Sequence, residues 1–148
     1  RLEPSGIIVA RRIGRQKHYQ SNADSPLFSE LRNIVRKTVG LAEPLRDGLS
    51  PLSSAIRAAF VYGSVAKATD QAASDIDLMI ISDSLTYGDV FGALERVTRI
   101  VGRKVNPTVY TSGEFSKRSR TENAFVTRVL EQPKLWVIGS EDDLPVAA

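Results

Sequence analysis

Apolar and polar positions along the chain divide it into segments with different periods. In SGIIVARRIGRQKHYQSN, strand-forming residues flank Gly14, with Ile7, Ile8 and Val9 before it and Tyr19 after it; this predicts a β-hairpin with arginines and a lysine near its tip. In SPLFSELRNIVRKTVG, Ser25 and Pro26 make a helix start, Leu27, Leu31, Ile34 and Val35 share one face, and Gly40 reads as a stop. A shorter helical piece, about Glu43 to Leu49, leads to Pro51, which opens another short helix.

From residue 57 strands alternate with helices. RAAFVYG and DIDLMIIS read as strands, and KVNPTVYT as a third in which Pro107 argues for an edge or a bulge. Thr86 and Asp89 make a capping box ahead of a helix striped by Val90, Leu94, Val97 and Val101 and closed by Gly102. Thr111 and Glu114 make a second box, Phe125, Val126, Val129 and Leu130 stripe a later helix, and KLWVIG is a final strand. Such a pattern predicts an α/β domain from about residue 50 onward, with no internal repeat.

Composition narrows the class. The 148 residues are 42% hydrophobic and 25% charged, enough for one ordinary domain with a buried core. The longest apolar runs, such as Leu78 to Ile81, fall far short of the roughly 20 residues needed to cross a bilayer, and no secretory signal pattern opens the chain, so no membrane partner and a cytoplasmic location are expected. Zero cysteines excludes disulfides and thiol chemistry, and a single histidine, His18, leaves little scope for a multi-histidine metal site or a Ser-His-Asp triad. The net charge of +3 is uneven: residues 1–49 carry +4 and residues 50–148 carry −1. A basic front part facing a polyanion is the corresponding expectation.

The chemistry concentrates in YGSVAKATDQAASDIDLMII, residues 62–81. Side chains two apart on a strand share a face, so Asp75 and Asp77 project together while Ile76 and Leu78 face the other way. Neighbouring carboxylates repel unless something cationic sits between them, and hard oxygen ligands suit magnesium, whose shell is commonly completed by substrate phosphates. Gly63 and Ser64 follow a strand, and backbone N–H groups there, with the Ser64 hydroxyl, make a phosphate seat. Lys67 in the following loop is a further candidate for touching a nucleotide, although loop lysines are commonly just solvated. A bare pair of spaced aspartates would more often cap a strand or pair with a lysine than bind metal.

Gly-Ser, ten residues and then Asp-Ile-Asp-Leu, in this order after a strand, resembles the signature of the DNA polymerase beta-type nucleotidyltransferase superfamily, and of its minimal nucleotidyltransferases in particular, over roughly residues 50 to 140. The resemblance implies that Gly63 and Ser64 hold the triphosphate of an NTP. It also implies that Asp75 and Asp77 ligate two magnesium ions, which activate an acceptor hydroxyl and stabilise departing pyrophosphate. One position departs from the family: the third carboxylate is matched by Asn106, whose amide carries no charge and takes no proton. Glu114 is another acid in the region, but helix capping accounts for it.

Residues 5–40 resemble the wing hairpin and final helix of a winged helix-turn-helix DNA-binding domain of the kind fused to minimal nucleotidyltransferases in prokaryotic transcription regulators. The chain starts at Arg1 without a methionine and without the helices that precede a wing, so it is expected to be a fragment. Arg11, Arg12, Arg15 and Lys17 are then the expected DNA contacts of the intact protein.

These readings converge on an α/β (α+β) nucleotidyltransferase fold with a small mixed sheet flanked by helices. The domains expected are a partial winged-helix domain at 1–49 and a nucleotidyltransferase domain at 50–148. The expected reaction is magnesium-dependent transfer of NMP from an NTP to a hydroxyl acceptor. The rival expectation is a DNA-binding regulator whose impaired transferase-like domain senses a nucleotide, and a third is a toxin–antitoxin component modifying a partner protein. A homodimer is a possible assembly, since winged-helix regulators usually pair.

Overall fold

The computed structural model describes residues 8–21, 40–67, 74–121 and 123–146. The chain divides into two compact units, Arg1–Lys37 and Thr38–Ala148. In the first, β1 (Ile8–Ile13) and β2 (Gln16–Ser21) pair antiparallel with Ile13 opposite Gln16, so that Gly14 and Arg15 form the tip of the expected hairpin. Gly14 sits at φ 64°, the left-handed region that a residue without a β-carbon enters at least cost. The helix expected over residues 25–39 lies outside the described residues.

The second unit opens with α1, helical at residues 40–49. Gly40, expected to stop a helix, is itself helical. Leu41, Leu45 and Leu49, spaced by four, bury together against the sheet. Arg46 Nε donates to the Val137 carbonyl at 3.0 Å, tying the same helix to the last strand. The second compact unit, Thr38–Ala148, thus takes in α1 ahead of residue 50. A 3-10 helix with proline in its first turn, Ser50–Ala55, follows.

Four strands, β3 (Ala58–Tyr62), β4 (Ile76–Ile81), β5 (Val105–Tyr110) and β6 (Leu135–Ile138), form one mixed sheet in the order β5-β4-β3-β6. The β3/β4 and β3/β6 pairs are antiparallel, and β4/β5 is parallel. A parallel neighbour needs a crossover. It is supplied by α2 (Tyr87–Val101), which starts at the Thr86/Asp89 capping box and ends at Gly102, φ 70°. Pro107 lies on β5, an edge of the sheet, where its missing N–H costs no ladder bond on the open side.

Both central strands are covered on two faces. Ala59, Val61, Ile76, Leu78 and Ile80 meet α1 and α2 through Leu45, Leu49, Val90, Leu94 and Val97. Phe60, Met79 and Ile81 meet α3 (Ser112–Arg120) and α4 (Ala124–Glu131) through Phe115, Val126 and Val129. Each fully buried side chain of this kind contributes about 1.5–3 kcal/mol, and the sheet they fix is what aligns the acids. This is the mixed α/β arrangement, a small four-stranded sheet flanked by helices, consistent with a nucleotidyltransferase fold. Among the described residues, no helix is long and apolar enough to cross a membrane.

Candidate active site

Register places the candidate residues in one row. Tyr62, the last residue of β3, lies opposite Asp77 on β4, and Asp77 lies opposite Asn106 on β5. Partners in register share a face, and this face is the one that carries Phe60, Met79 and Ile81 farther along the strands. The row therefore sits at the rim of an apolar layer, where Asp77 is partly buried.

Immediately after Tyr62 the chain turns at Gly63, φ 77°. A β-carbon there would stand 3.1 Å from Asp77 Oδ2, tighter than ordinary van der Waals contact. Glycine thus serves twice, in permitting the backbone angle and in letting the turn close against the carboxylate. Ser64 follows, partly buried, and Val65 is 1% exposed, anchoring the turn in the core. The Lys67 N–H donates to the Gly63 carbonyl at 3.2 Å, completing one helical turn, and the Lys67 side chain is exposed. The remainder of that loop, residues 68–73 with Asp70, lies outside the described residues.

Asp75 precedes β4 and is exposed, whereas Asp77 is partly buried. Asn106 joins them. Its Nδ2 donates to Asp75 Oδ2 at 3.0 Å, and its side chain also hydrogen-bonds Asp77. Burial pushes the Asp77 carboxyl above its ordinary pKa; the Asn106 hydrogen bond opposes this and the neighbouring Asp75 charge reinforces it. Asp75 lies near enough to Asp77 for its charge to act on it, and Asn106, the residue expected where the family has a third acid, lies in register opposite Asp77.

Three neighbours were not singled out in the sequence. The Tyr62 hydroxyl meets Thr108 Oγ1 at 3.3 Å, reaching across β4 beside Asp77, and its ring packs edge-on against Phe125 with centroids 5.7 Å apart. Burial, more than the nearby Asp77 charge, pushes the Tyr62 phenol up. Thr108 follows Asn106 by two and shares its face, so strand parity is the signal that points to it. Arg103 is partly buried, and its Nε donates to the Ser74 carbonyl at 2.7 Å. That bond holds the chain at the residue preceding Asp75.

Glu114 is committed elsewhere. Its Oε2 accepts from the Thr111 N–H at 2.8 Å and from the Thr111 hydroxyl at 3.1 Å, and these bonds hold its carboxyl below the ordinary range. Among the described residues, no group of three or more histidines, cysteines, aspartates or glutamates is placed to hold a metal ion. The donor set at the row is two carboxylates and one amide, all hard oxygen ligands by type. This set fits a divalent cation whose shell is completed by water or phosphate.

On the hairpin, Arg12 lies opposite Lys17 and Arg11 opposite His18. Arg12 and Arg15 are exposed. The side chains of Arg11 and Lys17 lie outside the described residues.

Residues 50–117 match the family model described as polymerase beta, nucleotidyltransferase. The matched stretch contains Gly63, Ser64, Asp75, Asp77 and Asn106, and it supports the nucleotidyltransferase superfamily for this part of the chain. No curated protein matches the chain significantly.

Proposed function

We propose that the C-terminal unit binds a nucleoside triphosphate with magnesium at the row of acids and transfers its nucleoside monophosphate to a hydroxyl acceptor. The observation that carries this reading is the closure of the Gly63 turn against Asp77, with a hypothetical β-carbon only 3.1 Å from Oδ2. A glycine-serine turn at the end of a strand is thereby set beside a pair of carboxylates, the combination that phosphoryl chemistry uses. Nucleotidyl transfer at the family level follows from the match over residues 50–117.

In this reading Gly63 and Ser64 cradle the triphosphate, Lys67 adds a cation to its outer side, and Asp75 and Asp77 hold magnesium. Bound magnesium supplies charge neutralisation on the phosphate oxygens and acidifies the acceptor hydroxyl. The acceptor oxygen forms a new bond to the α-phosphorus as the α–β bridging bond breaks, and the bridging electrons leave on pyrophosphate. The acceptor proton passes to water, because the side chain in the third position, Asn106, is an amide and takes none.

The basic hairpin is proposed to contact DNA phosphates or a minor groove through Arg11, Arg12, Arg15 and Lys17, as the wing of a winged-helix module in a cytoplasmic regulator. Asn106 favours a second reading in which the nucleotide is bound and sensed without turnover.

Incubation of the full chain with labelled NTPs and magnesium, beside the Asp75→Asn/Asp77→Asn variant, tests the first reading. Label transferred to an acceptor by the parent and lost in the variant is the expected result. Transfer that persists unchanged in the variant overturns the mechanism, and retention of nucleotide without transfer selects the sensor.

A further inference from the structure

Asn106 does more than fail to be an acid. It lies in register opposite Asp77 and donates Nδ2 to Asp75 Oδ2 at 3.0 Å, so a single neutral side chain spans the pair. We propose that Asn106 is a positioning residue that sets this site for one divalent ion, carried in by the triphosphate, where three acids would hold two. The proposal rests on the nucleotide-binding part of the reading above and is indifferent to whether transfer follows.

Charge count is the first argument. Two carboxylates are neutralised by one divalent ion, and a second ion at the pair, beyond the one that the triphosphate escorts, needs a further protein carboxylate. Among the described residues no third acid joins the pair, and Glu114 is held in its cap by Thr111.

Geometry is the second. One carboxylate oxygen of Asp75 is already engaged by the Asn106 N–H. The same amide lets the two acids remain together before any ion arrives, since N–H donors stabilise carboxylates that would otherwise repel. Arg103, through the Ser74 carbonyl, keeps the chain before Asp75 in reach of that amide. The site is thus assembled by protein groups alone, and the entering ion comes as part of a metal–triphosphate complex.

The test is equilibrium dialysis of the full chain with Mn2+ and a triphosphate bearing a methylene group between its α and β phosphorus atoms. Bound Mn2+ is counted by electron paramagnetic resonance and bound nucleotide by absorbance. The expected ratio of metal to bound nucleotide is about one for the parent and about two for Asn106→Asp. A ratio of about two in the parent, or of about one in a folded Asn106→Asp, overturns the proposal.

Should Asn106→Asp not fold, the parent ratio and the behaviour of Asn106→Ala decide. That variant is expected to melt lower than the parent in chelator and to recover with Mn2+ and nucleotide, at an unchanged ratio. A loss that neither restores reduces Asn106 to a structural residue and overturns the proposal. Failure of the parent to retain any nucleotide removes the nucleotide reading itself, whereas retention at the wrong ratio removes only the single-ion inference.

Discussion

Gly63 and Asp77 occupy adjoining space: a β-carbon on Gly63 would stand 3.1 Å from the Asp77 Oδ2, and the Gly63 backbone is left-handed at φ 77°. Gly63→Ala therefore meets two penalties. The backbone angle costs an L-residue about 1–2 kcal/mol, and the methyl group must move the carboxylate or the turn. Chemical unfolding is expected to show a loss of that order, and calorimetric titration a loss of nucleotide affinity larger than that of Gly113→Ala, whose β-carbon would meet nothing within 4 Å. Equal nucleotide affinity in Gly63→Ala and the parent would remove the turn from the site.

Asp77 and the capping acids respond to pH with opposite signs. The Asp77 pKa is raised in the fold, chiefly by burial. The stability it provides is full below its ordinary pKa and is lost as pH rises through the raised value. Metal-free Asp77→Asn is accordingly expected to melt higher than the parent at neutral pH, with the gap closing as the solution is acidified. Asp83 is held below its ordinary pKa first by the Ser112 backbone N–H at 2.7 Å and then by its hydroxyl at 2.9 Å. Its contribution is present above the ordinary value and disappears as pH falls through the lowered one, so Asp83→Ala should be less stable than the parent at neutral pH and equal to it in strong acid. Melting curves across this range check both, and an Asp77→Asn protein that melts lower than the parent at neutral pH contradicts the first.

The local devices were legible in the sequence because they are local. Both capping boxes, Thr86/Asp89 and Thr111/Glu114, close within three residues, and each appears with the predicted bonds. Pro107 announced an edge because its nitrogen has no proton to give, and β5 is an edge. Alternation predicted a shared face for Asp75 and Asp77, and Asn106 lies opposite Asp77 across the sheet and bonds Asp75. Contacts set by register were less legible. The Tyr62 hydroxyl meets Thr108 only because β4 runs between their strands, and Arg103 meets Ser74 only because the parallel pair brings the start of β5 beside the start of β4.

Leu45 tests where the C-terminal unit begins. It is fully buried with Leu41 and Leu49 against Val137 and the α2 stripe, although it precedes the family match at residue 50. Leu45→Ala should destabilise the unit by about 2–5 kcal/mol in denaturant titration. A chain cut to residues 38–148 should retain a cooperative transition, and one cut to residues 50–148 should lose it, having shed the whole leucine stripe and the Arg46 bond to Val137. Equal cooperativity of the two shortened chains would return the boundary to residue 50.

The basic hairpin allows a measurement that separates DNA contact from a merely solvated edge. Arg12 and Arg15 are exposed around the tip, Arg11 lies on β1 opposite His18, and Lys17 lies on β2 opposite Arg12. Each cation that neutralises a DNA phosphate releases counterions, contributing about 0.9 to the slope of log affinity against log salt. Replacing all four by alanine should lower the magnitude of that slope by about 3–4 in titrations of the full chain with duplex DNA, while leaving the unfolding of the C-terminal unit, which begins at Thr38, unchanged. A solvated edge predicts weakened binding of no particular salt dependence, or none at all. An unchanged slope would take the hairpin out of the DNA interface and leave the nucleotide site as the chain's sole proposed point of contact with a phosphate.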